Sequence, residues 1–303
     1  MRTLVLLPLM TSGCATGTDA PTGDNGLDEN DPRRDASTWA TEVGPEDRRV
    51  AVTRPSSYDG SSKLPLVVVL HGYGASGAVQ NRFFRMGSRA AEQNMIVLAP
   101  DGTTDTNGKQ FWNATDACCD FGNTNVDDVG YLLGLINEVE ETIPIDPDRI
   151  VVIGHSNGGF MSYRLACEAP DRIAAIASLA GANFVTPTDC KATESVSVLQ
   201  IHGTQDTTIQ YGGGDGFGGF ADYPGAEASA GHFAALAGCD RKEETGLHDY
   251  ETVVGGAETR REAWTGCDSE SVELWTIEGG SHIPILTDAF HDDALSWLLD
   301  QRR

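Results

Sequence analysis

Short apolar runs recur along the chain from residue 64: Leu64–Leu70 (LPLVVVL), Met95–Ala99, Arg149–Ile153, Ile173–Leu179, Val196–Ile201 and Val272–Ile277. They are rich in Val and Ile and show no apolar–polar alternation, which predicts strands buried on both faces. Longer stretches between them place apolar residues at helical spacing. These predict helices over Gln80–Gln93, Val126–Glu141, Gly158–Glu168, Ala226–Ala237 and Asp288–Leu299. Strands alternating with helices imply an α/β fold, a mostly parallel sheet covered by helices on both faces. We expect this single domain to span residues 46–303. In such sheets ligands bind at the C-terminal ends of the strands.

The N-terminal segment does not fit that alternation. Arg2, the apolar run Leu4–Met10, the small residues Thr11-Ser12-Gly13 and then Cys14 read as a lipoprotein-type export signal over 1–13, with a lipidated Cys14 as the mature N-terminus. Thr11 stands where that pattern prefers Leu. The run is too short to span a bilayer, which takes about 20 residues. Residues 14–45 are rich in Gly, Asp, Thr, Asn and Pro and poor in large apolar side chains, so a flexible acidic linker is expected there. The expected location is therefore extracytoplasmic and bacterial, secreted or held at the cell envelope, with membrane contact only through the lipid.

Charge narrows the partners. The net charge is −24, of which residues 1–45 hold seven acidic and three basic side chains, so most of it belongs to the folded body. Such a surface repels phosphate backbones and excludes nucleic acid as an expected partner. With Cys14 set aside, Cys118, Cys119, Cys167, Cys190, Cys239 and Cys267 remain, an even number that suggests disulfides in an exported protein. Six cysteines allow 15 pairings. No CxxC pair or spaced His/Cys cluster points to a metal site.

The chemistry centres on Gly154-His155-Ser156-Asn157-Gly158, a match to G-x-S-x-G. A chain this rich in Gly gives roughly 0.2–0.3 such matches by chance, so the setting carries the inference. The motif follows the run Ile150–Ile153 and precedes a helical stretch, the strand–turn–helix context in which Ser is a nucleophile. Ser needs a base, and the base an orienting acid, in the chain order Ser, Asp, His. His282 lies in a loop between the last strand and the last helix and is the expected base, with His248 the second candidate. Asp206 leaves the strand Val196–Ile201 and is the expected acid; Asp215 and Asp222 lie in a Gly-rich loop that would hold a carboxylate loosely. The expected oxyanion donors are the backbone amides of Asn157 and of Tyr73, with Gly72 as an alternative to Tyr73, in the loop after Leu64–Leu70. Trp112 and Asn113 are candidates to line a substrate cleft. Asp127 and Asp128 read as helix-capping residues.

The blocks HGYGASG, GHSNGGFMSYRLACEAPDRIAAIASLAG, IHGTQD and VELWTIEGGSHIP resemble the extracellular polyhydroxybutyrate depolymerase and feruloyl esterase family, within the first carbohydrate-esterase grouping. The resemblance runs from about residue 46 to the end. It implies an α/β-hydrolase fold, a triad of Ser156, Asp206 and His282, and a disulfide between Cys239 and Cys267. It leaves the partners of Cys118, Cys119, Cys167 and Cys190 open. The expected activity is hydrolysis of carboxylic esters through an acyl-enzyme, on polyhydroxyalkanoate-type polyesters or on feruloyl or acetyl esters of plant polysaccharide. No cofactor is expected, and the expected state is a monomer. A serine peptidase of the same fold and a non-catalytic surface lipoprotein are the other classes.

Overall fold

The computed structural model describes residues 27–28, 30–216, 220–268 and 270–303. The expected signal and Cys14 lie outside the described residues. Eight strands form one sheet: β1 Leu64–Leu70, β2 Ile96–Leu98, β3 Ile145–His155, β4 Ala175–Leu179, β5 Ser197–Gly203, β6 Arg241–His248, β7 Thr259–Thr265 and β8 Val272–Ile277. Their spatial order is β6-β7-β8-β5-β4-β3-β1-β2. From β8 to β2 every pair is parallel; β6 and β7 join antiparallel at the other edge.

Period-2 alternation on the central strands feeds two cores. Leu66, Val68, Ile150, Val152, Ile176 and Val198 face one side, with Leu132, Ile136, Phe160 and Phe233. Those last four belong to α3 Asp128–Thr142, α4 Asn157–Glu168 and α5 Ala226–Leu236. Val67, Val69, Val151, Ile153, Ala177 and Leu199 face the other side, with Phe84, Met86, Phe290 and Leu295. They pack under α1 Gly77–Phe84, α2 Met86–Arg89 and α6 Asp288–Asp300. The strands are buried on both faces, as their unbroken apolar runs require.

Three expectations are corrected, and a hairpin is added to them. The helix expected over Gln80–Gln93 is two pieces, broken at Arg85, whose φ of 57° is left-handed. Phe84 and Met86 are both fully buried. Two residues apart on one continuous helix they would point about 200° apart, and the break lets both face the core. The linker expected to reach residue 45 is already part of the domain: Trp39 and Val43 are buried, Trp39 stacks on Tyr58 at 5.0 Å, and Glu42–Val43 pairs with Val50–Ala51. Those two large side chains gain enough burial to order a stretch whose average composition is polar. The hairpin β6–β7 was not expected, because RKEETGLH carries no apolar face; charged pairs such as Arg261–Glu273 (3.1 Å) and Lys242–Glu262 (3.3 Å) run along it instead. Asp127 caps α3 as expected, accepting from Gly130 N at 2.8 Å, but Asp128 is buried in an ion pair with Arg48 at 3.1 Å.

The cysteines pair as Cys118–Cys119, Cys167–Cys190 and Cys239–Cys267. The second ties the end of α4 to the chain after β4, and the third ties α5 to the end of β7. Among the described residues no helix is long and apolar enough to cross a membrane, and no cluster of His, Cys, Asp or Glu could hold a metal ion.

Candidate functional site

Ser156 occupies the turn between β3 and α4, with φ 53° and ψ −121°. This strained conformation lifts the side chain clear of the sheet at the N-terminus of a 12-residue helix. Close packing on both sides maintains it. A Cβ on Gly154 would lie 2.1 Å from Gly158 O, and one on Gly158 would lie 2.2 Å from Leu70 O. Only glycine permits β1, β3 and α4 to meet this closely. Ser156 N donates to Leu179 O at 2.8 Å, which pins the turn to β4.

The loops after β5 and β8 bring the other two side chains to it. A Cβ on Gly203 would meet Gly280 O at 2.2 Å, and Gln205 N donates to Gly280 O at 2.9 Å, so the two loops are in direct contact. His282 Nε2 lies 3.0 Å from Ser156 Oγ, and His282 Nδ1 lies 2.7 Å from Asp206 Oδ2. Asp206 Oδ1 accepts from Thr208 N (2.8 Å) and Ile209 N (2.9 Å). Burial by itself would raise this carboxyl; hydrogen bonds from His202 and His282 outweigh it and hold the group well below the usual carboxylate range. The side chain of Asp206 is fully buried and that of His282 is partly open to solvent. His248 is elsewhere, stacked on Tyr250 and 3.9 Å from Asp293.

Tyr73 follows β1 and faces the same cavity. Its backbone amide and that of Asn157 donate to no other backbone group among the described residues, which leaves both free for an oxyanion. Its phenol donates to Asp105 Oδ2 at 2.6 Å, and burial together with that contact pushes it up to about 12. The cavity beside Ser156 is roughly 350 Å³ and is walled by Tyr73, Val79, Phe83, His155, Thr208 and Ile283. A second, larger cleft of about 570 Å³ is polar and includes Asn113, Thr115, Asp116, Arg164, Asp189 and Phe220. The Tyr73 ring meets Phe121 edge-on at 5.1 Å, and Phe121 meets Phe220 at 5.2 Å, so aromatic contacts link cavity and cleft.

Trp112 does not line either space. It is fully buried, its indole donates to His71 O at 3.1 Å, and its main chain exchanges two hydrogen bonds with the Asn157 side chain, at 2.7 and 2.9 Å. Its work is to brace the two loops that carry the expected oxyanion amides. Asn113 lines the polar cleft rather than the Ser156 cavity.

Buried histidines frame the site and were not assigned roles from sequence. His71 Nδ1 donates to Gly72 O (2.8 Å) and its Nε2 accepts from Gly102 N (2.8 Å). His155 Nε2 donates to His282 O at 2.9 Å; burial first, then the nearby His282, push His155 down to about 4 and keep it neutral. Their positions at the ends of β1 and β3 were visible in the sequence, but their partners are far away in the chain.

The chain is similar to known esterases. Feruloyl esterase B of Piromyces equi is 30% identical over 246 residues, which is 78% of this chain and 42% of that protein. A poly(3-hydroxybutyrate) depolymerase of Ralstonia pickettii is 34% identical over 137 residues, 43% of this chain and 27% of that protein. The chain thus spans less than half the length of both relatives. The resemblance read from the sequence blocks is borne out. Acetyl xylan esterase from Aspergillus awamori superposes with a TM-score of 0.60 at 14% identity, over 85% of this chain and 97% of that one, which supports the α/β-hydrolase fold. A family model described as Phospholipase/Carboxylesterase matches residues 58–218, more than half of the chain and including Ser156 and Asp206, and the chain belongs to that family.

Proposed function

We propose that the protein is an exported serine esterase that cleaves carboxylic esters through an acyl-enzyme. The observation that carries this reading is the chain of contacts from Asp206 Oδ2 to His282 Nδ1 (2.7 Å) and from His282 Nε2 to Ser156 Oγ (3.0 Å). Ser156 Oγ attacks the ester carbonyl while His282 Nε2 takes its proton. The amides of Asn157 and Tyr73 receive the oxyanion, helped by the N-terminus of α4. His282 returns the proton to the departing alcohol. Water, deprotonated by the same nitrogen, then releases the acid and restores Ser156. Asp206, ionised throughout, fixes the His282 tautomer and stabilises its cationic form.

The substrates we propose are feruloyl or acetyl esters carried by plant polysaccharide. The apolar cavity at Ser156 suits an acyl group, and the polar cleft on the far side of the Tyr73–Phe121–Phe220 contacts suits a hydroxyl-rich alcohol side. Polyhydroxyalkanoate oligomers are the competing substrate, favoured by the Ralstonia relative. Export is supported by the pairing of all six described cysteines, since disulfides persist in oxidising compartments; attachment through a lipidated Cys14 is part of the same proposal.

The test is turnover of p-nitrophenyl acetate, methyl ferulate, acetylated xylan oligomers and polyhydroxybutyrate by the native protein and by Ser156→Ala. Ser156→Ala is expected to lose several orders of magnitude on every ester cleaved. Retained activity in that variant sinks the assignment of the nucleophile. Preference for polyhydroxybutyrate over both polysaccharide-type esters overturns the substrate reading alone.

A further inference from the structure

Behind Asp206, away from the substrate side, a line of polar side chains runs through the sheet. Tyr163 on α4 donates its hydroxyl to Gln200 Oε1 at 2.9 Å. Gln200 Nε2 donates to Gly181 O at 3.0 Å and meets His202 Nδ1 at 3.2 Å. His202 Nε2 lies 2.8 Å from Ile209 O and 3.4 Å from Asp206 Oδ2. Tyr163, Gln200 and His202 are all at most 1% exposed, in a layer otherwise dominated by apolar side chains such as Phe160, Ile176, Val198 and Phe233. Polar groups so placed are retained only with their hydrogen bonds satisfied.

The donor and acceptor roles along this line have one consistent solution. A backbone carbonyl can only accept, so the Gln200 atom facing Gly181 O is the amide nitrogen. Its second hydrogen then faces His202 Nδ1, which must be the unprotonated nitrogen. The His202 proton is therefore on Nε2, aimed at Ile209 O and Asp206 Oδ2, and the ring is neutral. Protonating His202 would set two donors face to face at Gln200.

We propose that His202 is a positioning residue of this site: a buried neutral imidazole, locked in one tautomer by Gln200 and Tyr163, that holds Asp206 in the orientation His282 requires. The role rests on the esterase reading above. His202 stands four residues before Asp206 on the same strand–loop segment, so it also fixes the span 203–209 through Ile209 O. Tyr163 lies two helical turns beyond Ser156 on α4. The line thus ties the helix bearing the nucleophile to the loop bearing the acid. The titratable groups near Asp206 are His202 from β5, His282 from the loop before α6, and His155 from the end of β3. His202 is the one among them that does not contact the substrate cavity.

His202→Phe, His202→Gln and Tyr163→Phe test this, each with p-nitrophenyl acetate kinetics across pH, thermal melting, and the low-field proton resonance of the His282–Asp206 hydrogen bond. In His202→Phe, kcat is expected to fall at least about tenfold with KM within about twofold. Its acid-side loss of activity should move to higher pH, because Asp206 without the His202 donor pairs more strongly with the protonated form of the base His282. His202→Gln can place an amide nitrogen where Nε2 was and should recover most of kcat. Tyr163→Phe should lower kcat about two- to fivefold with the same pH displacement. A folded His202→Phe with native kcat and pH profile overturns the proposal, as does a Gln variant no better than Phe. If His202→Phe does not fold, native kinetics in Tyr163→Phe overturn it. A native protein that turns over no ester sinks the esterase reading, while loss of the low-field resonance in the variants still supports the positioning role and its retention refutes it.

Discussion

Gly158→Ala probes the contact on which the geometry of Ser156 depends. The added methyl would lie 2.2 Å from Leu70 O, 2.5 Å from Leu70 C and 2.7 Å from His71 O. All three atoms are backbone at the C-terminal end of β1, a strand hydrogen-bonded on both sides by β2 and β3. They cannot rotate away, and real Cβ contacts essentially never fall below 3.0 Å. The start of α4 must therefore retreat by about 0.8 Å. Ser156 immediately precedes that helix, so a comparable displacement would stretch its 3.0 Å contact with His282 Nε2 beyond hydrogen-bonding range. Misplacement of about 1 Å typically costs about 10²-fold in rate, and overpacking costs about 1–3 kcal/mol in stability. The expected outcome is a folded protein with kcat for p-nitrophenyl acetate down about 10²-fold, KM changed little, and a lowered Tm. Steady-state kinetics and differential scanning calorimetry on the same preparation read both. A Gly158→Ala protein with kcat within threefold of native and an unchanged Tm would refute the reasoning.

The triad and the scaffold give further expectations. Asp206→Asn keeps the shape but allows the wrong His282 tautomer, and kcat should drop about 10⁴-fold with the fold intact by circular dichroism; a loss under tenfold would remove Asp206 from its role. His155 and His291 are both buried and pushed down to about 4, by burial foremost and then by His282 for the first and Arg85 and Arg89 for the second. The unfolded chain takes up these protons near the ordinary value of 6.5, so native stability is full above that pH and declines as pH falls towards 4. The decline is on the order of 3 kcal/mol per imidazole. Urea midpoints measured from pH 7 to 4.5 should fall accordingly, and His291→Phe should flatten the slope; a parallel slope in that variant contradicts the assignment. The contribution of Asp206 has the same sign but is lost only lower, once pH drops below the ordinary carboxyl value of 3.8. Removing both Cys167 and Cys190, which close a sequence separation of 23, should cost about 3 kcal/mol in a denaturant titration, with native kcat at 25 °C; an unchanged midpoint would argue that the loop gains nothing from closure.

Much of this arrangement was legible in the sequence. A short β-branched run such as LPLVVVL reads as a strand covered on both faces, and Leu64–Leu70 has those bounds in the structure. Gly154-His155-Ser156-Asn157-Gly158 between strand and helix identifies the elbow because no other residue type fits where Gly154 and Gly158 meet backbone. The loops of Asp206 and His282 followed from chain order. These features are local: each depends on residues adjacent in the chain and on the side-chain period of one element.

The tertiary structure decided what depends on partners distant in sequence. The hairpin β6–β7 takes its strand character from sheet pairing and cross-strand ion pairs, which leave no apolar period to read. Trp39 is ordered because Tyr58 lies beside it, and Trp112 is buried because the Asn157 side chain clamps its main chain from 45 residues away. The pairing of Cys167 with Cys190 follows from the end of α4 meeting the chain after β4. The same holds for the line Tyr163–Gln200–His202, whose members look like ordinary helix and strand residues until packing aligns their donors and acceptors. Sequence determines which elements form, because hydrophobic period and turn chemistry are set locally. Packing decides which polar groups meet, because a hydrogen bond depends on distances that only the assembled fold establishes.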